Sequence, residues 1–365
     1  MIRHLYVHIP FCPKVCPYCS FYKEASDRHK TQRFLDAVLA ELDAAQRHHV
    51  LQPETIFFGG GTPSALSTPQ LDYLLNGLRQ RLDLSSLREW TLEMNPATVS
   101  LEKAVRLREL GVNRVSMGVQ AWDDETLKAL GRGHSAEQAL RSFEILRQAR
   151  FTNINLDLIF GTPGQSQPAW FANLQRTIDL APEHISAYCL TYEEDTEFFR
   201  RFQSGELLQD ENADADLYEG SIEMLEAAGF VQYETSNYSR RGRECAHNLA
   251  YWLGNDYLGL GPSAFSTVGA SRWKNLPDTT VYCELIESCG EARSFHEEVT
   301  AEIRLSEQIA FGLRTNRGVA LTQLTTKSQQ VARLTTDGFL TQSPHRIFLT
   351  RQGRLVADGV AELLI

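Results

Sequence analysis

The sequence predicts an α/β protein built on a parallel sheet, followed by a smaller C-terminal unit. Three observations carry this. Short β-rich runs alternate with amphipathic helical stretches through the first two-thirds of the chain. Polar and glycine residues gather just after those β-rich runs. The pattern then changes after Asn237. At 365 residues the chain can bury a large core and hold more than one domain, although a barrel can occupy most of it as one.

Taken in order, strands are expected at 5–9, 55–58, 90–94, 114–118, 154–160 and 184–190. Between the first two, Phe34, Leu35, Val38, Leu39 and Leu42 form an apolar stripe at helical spacing. Thr68-Pro69 predicts an N-cap followed by proline in the first turn. Ser135-Ala136-Glu137-Gln138 has the form of a capping box. Six β–α units with parallel connections leave two architectures open, a doubly wound sheet or an open barrel. Both place sites at the carboxyl ends of strands, where Gly59-Gly60-Gly61-Thr62, Asn95, Gln120 and Gly161 fall. This first unit is expected over 1–239. Residues 240–290 form a glycine- and aromatic-rich segment with Tyr251-Trp252 and Leu258-Gly259-Leu260-Gly261-Pro262. Residues 291–365 order as a helix near 301–313, a helix near 321–335, a hairpin and a final helix, which predicts a small winged-helix-like domain.

Composition narrows the function. Hydrophobic residues make up 42%, and no run approaches the ~18 apolar residues of a membrane span. A net charge of −10 with no basic run weighs against nucleic-acid binding, which needs a basic face. Seven cysteines, an odd number with three clustered, argue against a secreted disulfide framework and for a reducing cytoplasm. Met1-Ile2-Arg3-His4 leads straight into a strand, so no signal peptide is expected.

The most specific signal is Phe11-Cys12-Pro13-Lys14-Val15-Cys16-Pro17-Tyr18-Cys19, a C-x3-C-x2-C run with an aromatic before the last thiol. Iron–sulfur clusters usually take four thiolates. Three on a compact loop can hold three irons of a cubane and leave the fourth open to a substrate or cofactor. Structural zinc wants four ligands in a closed tetrahedron; no fourth cysteine is near along the chain, and His8 is the nearest alternative ligand. Gly59-Gly60-Gly61-Thr62-Pro63 can bring backbone close to a ligand, or simply make a tight turn. Asp157 lies inside an apolar strand, where a carboxylate is costly to bury alone. Either a structural ion pair or a cationic, hydroxyl-bearing cofactor meets that need. Cys189, Cys245, Cys283 and Cys289 lack metal-site spacing and read as buried free thiols.

The cysteine loop resembles that of radical S-adenosylmethionine (SAM) enzymes, whose open iron chelates the amino and carboxylate groups of SAM. With GGGTP, LExNP, GVQ, LGRxH and LDLIFGxPxQ, nearly the whole chain resembles the oxygen-independent coproporphyrinogen III dehydrogenase family. That resemblance selects a partial (β/α)6 radical SAM barrel and implies a [4Fe–4S] cluster on Cys12, Cys16 and Cys19. It places Tyr6, Gly60, Glu93, Gln120, Arg132 and Asp157 against the cluster-bound SAM. Gly61, Thr62 and Tyr18 would line the neighbouring position, where the dehydrogenases place a second SAM.

Within that family the dehydrogenases carry a fourth cysteine two residues after the third, where this chain has Phe21. They also carry a long N-terminal extension, whereas eleven residues precede Cys12 here. Both features resemble the HemW haem-chaperone branch, as does His247-Asn248-Leu249-Ala250-Tyr251-Trp252 with its H-N-x-x-Y-W pattern. The implied function is to bind haem as cargo and deliver it to apo-haemoproteins. His247 would be an axial or orienting ligand, with flat aromatics covering the porphyrin; a hydrogen-bonded loop histidine is the plain alternative. The alternative function is an anaerobic coproporphyrinogen III dehydrogenase or another radical SAM reaction on a tetrapyrrole. After the Gly-Leu-Gly turn, where a histidine often stands in this group, the chain has Phe265, which cannot coordinate a metal.

Overall fold

The computed structural model describes residues 1–25 and 28–365. Six parallel strands lie side by side in chain order: β1 (Ile2–Ile9), β2 (Leu51–Gly60), β3 (Glu89–Met94), β4 (Arg114–Gln120), β5 (Ile154–Phe160) and β6 (His184–Cys189). A doubly wound sheet reverses its strand order at a switch point. This one does not reverse, so crossovers of one hand put the intervening helices on one face and leave the other as the inside of an open barrel. The sheet is extended to nine strands by β7 (Val231–Gln232) and β8 (Asn237–Ser239) beyond β6, and by β9 (Leu258–Leu260) parallel to β1.

All six expected strands form, and several begin earlier than their apolar runs suggest. At the start of β1 a polar pair is buried within the sheet: His4 and Thr55, set opposite each other on β1 and β2, share a hydrogen bond of 2.9 Å. Phe34, Leu35, Val38, Leu39 and Leu42 are buried along the helix Arg28–Gln46. The N-cap expected at Thr68 belongs to Ser67, whose Oγ accepts from Gln70 N at 3.4 Å while its own N donates to Gln70 Oε1 at 2.9 Å. Thr68 and Pro69 are the first helical residues, since that reciprocal pair fixes the start one residue earlier. The Ser135–Gln138 capping box forms as read.

One core runs from Ile2 to Ala292, so the glycine- and aromatic-rich segment packs as part of the barrel. A second core joins Ile309, Leu313, Val331, Leu334, Ile347 and Leu364. It lies within the helix Ala301–Leu313, the helix Ser328–Thr336, a three-stranded sheet and the helix Ala357–Leu364. The helix expected near 321–335 is shorter than read, because two 3-10 turns, Leu321–Gln323 and Thr325–Lys327, precede it. Among the described residues no helix is long and apolar enough to cross a membrane.

Candidate functional site

The cysteine loop leaves β1 and returns to it. Phe11–Cys12 pairs in parallel with Glu24–Ala25, and Glu24 N donates to Pro10 O at 2.7 Å. Inside the loop Cys19 N donates to Cys16 O at 3.3 Å, and Cys12 Sγ lies 3.5 Å from Thr62 Oγ1. Burial raises the pKa of the Cys12 and Cys19 thiols. Cys19 borders a large cavity inside the barrel; Cys12 is buried beside it. His8 does not offer itself as a fourth ligand: its Nε2 meets Tyr22 O at 2.9 Å and its Nδ1 meets Tyr6 OH at 3.0 Å, so it braces the loop. Among the described residues no three His, Cys, Asp or Glu side chains converge on a point that a single metal ion could occupy.

The cavity measures about 830 Å³ and gathers Tyr6, Tyr18, Gly60, Gly61, Thr62, Glu93, Gln120, Arg132 and Asp157 from the strand ends. Two half-buried carboxylates face it. Glu93 is pushed up to about 8, first by burial and then by the nearby charge of Asp157, with Gly60 N and Arg114 opposing. Burial also raises Asp157, against hydrogen bonds from its neighbours. Those partners are neutral: Asn155 Nδ2 donates to Oδ1 at 2.7 Å and Ser116 Oγ to Oδ2 at 3.1 Å. Arg132 donates to Gly118 O at 2.9 Å and reaches Cys16 Sγ at 3.6 Å and Tyr18 OH at 3.5 Å, while its buried Nε has no partner among the described residues. Carboxylates held by neutral groups suit a cationic ligand, because desolvating an anion is offset best by opposite charge.

The glycines also have a packing role that the sequence did not show. A Cβ on Gly60, at φ +102°, would come 2.4 Å from His8 Cε1, and one on Gly61 would come 2.8 Å from Ile9 O. They are needed so that β2 can close on β1 and the cysteine loop, and only their remaining surface faces the cavity. Gln120 has φ +68° at a register shift in β4, which folds its side chain back over Gly118.

The inward polar layer went unread in the sequence. Arg114, Ser116, Asn155, Ser186, Tyr188 and Asn237 also border the cavity. Asn155 Nδ2 also lies 2.7 Å from Ser116 Oγ and 2.9 Å from Ser186 Oγ, so its two hydrogens are shared among three acceptors; Ser186 donates on to Asn237 Oδ1 at 2.7 Å. The signal was period two: Arg114/Ser116/Gly118, Asn155/Asp157 and His184/Ser186/Tyr188 occupy alternate positions on adjacent strands.

A second cavity of about 620 Å³ shares Tyr188, Asn237, Asn248, Tyr251, Tyr257 and Phe265 with the first, and adds Trp252, Phe311, Arg272 and Arg304. Phe265, 41% exposed, borders both cavities, with Lys274 Nζ 5.1 Å from its ring centre. His247 borders neither. It is fully buried on the helix Ala246–Trp252, its Nδ1 2.8 Å from Thr55 Oγ1 and its Nε2 2.6 Å from Tyr251 OH. Both ring nitrogens of His247 are hydrogen-bonded, which fits the orienting or hydrogen-bonded alternatives better than axial ligation. Cys245 and Cys283 are buried as expected, but Cys189 and Cys289 are exposed, and Cys189 borders the larger cavity.

Residues 6–170 match the Radical SAM superfamily and residues 299–356 the HemN C-terminal domain. The chain is 35% identical to the heme chaperone HemW of Bacillus subtilis, covering 98% of each chain. It is 41% identical to the Escherichia coli heme chaperone HemW over 72% of this chain and 70% of that one. The structure of E. coli coproporphyrinogen III oxidase (HemN), a radical SAM enzyme, superposes with a TM-score of 0.87 over all of this chain and 90% of that one, at 24% identity, which establishes the shared fold. Barrel, C-terminal domain and full-length similarity together place the chain in the HemW family of radical SAM proteins.

Proposed function

We propose that this protein is a haem chaperone: it holds a [4Fe–4S] cluster and SAM in the barrel, binds haem beside them, and passes haem to apo-haemoproteins. The observation that carries the reading is the pair of adjoining cavities, one ringed by the cysteine loop and unpaired carboxylates, the other by aromatics of the HNLAYW helix. Cys12, Cys16 and Cys19 would hold three irons. When bound, the cluster supplies an iron for SAM chelation and a one-electron centre. Glu93 and Asp157 would take the cationic and hydroxyl groups of SAM, with Gln120 and Arg132 beside them and Tyr6 at the wall. Gly60, Gly61, Thr62 and Tyr18 complete the rim. In the second cavity Trp252 and Phe311 offer apolar cover for a porphyrin face, while Arg272 at its edge is paired with Glu297 and Glu307, and Arg304 with Asp256. Similarity to proteins named heme chaperones supports the cargo. Free cysteines throughout support a reducing, cytoplasmic setting.

The test is anaerobic reconstitution followed by two parallel assays. Haem should bind near equimolar ratio and move to an added apo-haemoprotein, while coproporphyrinogen III with reductant and SAM stays unconverted. Robust conversion without haem transfer would sink the chaperone reading.

A further inference from the structure

His247 sits behind Tyr251, with its ring stacked on Phe57 at 5.2 Å. Reaching a metal would require breaking one of its two hydrogen bonds and opening that stack. Tyr251 borders both cavities, and its hydroxyl is the group that His247 touches.

The hydrogen bonds behind His247 run in one direction. Asn255 Nδ2 lies 3.4 Å from His4 Nε2, His4 Nδ1 2.9 Å from Thr55 Oγ1, and Thr55 Oγ1 2.8 Å from His247 Nδ1. An amide nitrogen only donates, so His4 Nε2 accepts and its Nδ1–H donates to Thr55. The single hydroxyl hydrogen of Thr55 then goes to His247 Nδ1, which leaves Nε2–H to donate to the Tyr251 oxygen. Burial, with Tyr257 and Tyr6 nearby, raises the Tyr251 pKa well above its ordinary value, so the unligated group is a phenol. The donor fixed on its oxygen favours the anion once a metal replaces the proton, and support from behind orients a metal ligand. The phenol's own hydrogen is left directed away from His247.

We propose that Tyr251, as its phenolate, is the axial ligand of ferric haem, and that His247 is a positioning residue donating to the bound oxygen. This rests on the haem-binding reading above. Tyrosinate is an established haem ligand type. In the binding step the Tyr251 proton joins hydroxide carried by the ferric haem and leaves as water; the Fe–O bond to Tyr251 replaces the Fe–OH bond, and the iron stays ferric. Among competing ligands, His8 has both nitrogens engaged.

The test is titration of ferric haem into the reconstituted protein, read by haem-to-protein ratio and resonance Raman. Wild type should show iron-tyrosinate modes at near-equimolar haem. Tyr251→Phe should lose those modes and bind haem at least tenfold more weakly, with iron content and circular dichroism unchanged. Tyr251→His should convert the spectrum to imidazole ligation, which keeps the test decisive if the Phe variant is unstable. His247→Ala and Thr55→Val should keep tyrosinate modes but shift the Fe–O frequency in the same direction. Tyrosinate modes surviving in Tyr251→Phe overturn the assignment, as does an imidazole spectrum in wild type that His247→Ala abolishes. Either result leaves haem binding standing; no haem uptake by wild type removes that function itself.

Discussion

Arg132 lies 3.6 Å from the Cys16 sulfur through one guanidinium nitrogen, while another donates to Gly118 O on β4 at 2.9 Å. The cation thereby ties the cysteine loop to the barrel and sits where thiolate charge accumulates once iron binds. Arg132→Met should reduce cluster yield several-fold, and Arg132→Lys should restore it poorly, since an ammonium lacks the fork that spans both partners. Iron and acid-labile sulfide content reads this directly; wild-type content in Arg132→Met would make the residue dispensable.

Replacing Cys12, Cys16 or Cys19 singly by Ala should remove most iron and sulfide after reconstitution. The triple variant should hold none. Stoichiometric zinc in place of iron, or a cluster retained in the triple variant, would reject the three-thiolate site.

Asp157 accepts from Asn155 and Ser116 but is paired with no cation in those bonds. Asp157→Ala should weaken SAM binding by ~1–3 kcal/mol, the range for a hydrogen bond to a charged group. Equilibrium dialysis with SAM measures it, and an unchanged affinity would leave Asp157 a purely structural residue.

Glu93 gives a pH prediction. Its folded pKa is raised from the ordinary 4.5 to about 8, chiefly by burial. The folded protein therefore binds more protons than the unfolded chain between those values. The stabilising contribution is fully present below about pH 4.5 and is lost as pH rises through about 8. Without SAM, melting temperature should fall across that window, and Glu93→Gln should flatten the slope. SAM, as a cation, should restore stability most at the alkaline end. A Glu93→Gln profile parallel to wild type would assign the slope to other groups.

Much of this was legible in sequence because parallel strands buried on both faces read as apolar runs. The cysteine loop was legible because its ligands are local. The polar floor was not: Ser116, Asn155 and Ser186 sit singly inside apolar runs, and only the strand order makes them neighbours. The role of His247 was hidden for the same reason, since Thr55, which fixes its ring, lies 192 residues away. The glycine run was visible, but its cause was not, because His8 and the Ile9 carbonyl fill the space a side chain would need.

Gly60→Ala follows from that contact. Alanine at φ +102° is strained, and its Cβ would meet the His8 ring at 2.4 Å. A loss of about 1–3 kcal/mol in urea unfolding is expected from the backbone alone. Cluster retention should fall as well, because displacing His8 releases its 2.9 Å bond to Tyr22 O at the end of the cysteine loop. Wild-type stability and iron content together would show that the loop does not depend on this packing.

Trp252 tests the location of the haem. Its ring meets Phe311 edge-on, with centres 5.8 Å apart at 78°, and so joins the HNLAYW helix to the helix Ala301–Leu313 across the second cavity. Aromatic pairs of this geometry contribute about 0.5–1.5 kcal/mol beyond the area they bury. Trp252→Ala should therefore loosen that wall and remove apolar cover from the porphyrin, weakening haem binding about tenfold. Trp252→Phe keeps a ring in place and should recover most of the loss. Iron content and SAM affinity should not change, because the cysteine loop and the carboxylates border the other cavity. Haem dissociation measured by capture on an excess of apo-myoglobin separates the cases. A wild-type dissociation rate in Trp252→Ala would move the haem out of this cavity, and a parallel loss of iron would mean that the variant disturbs the barrel instead.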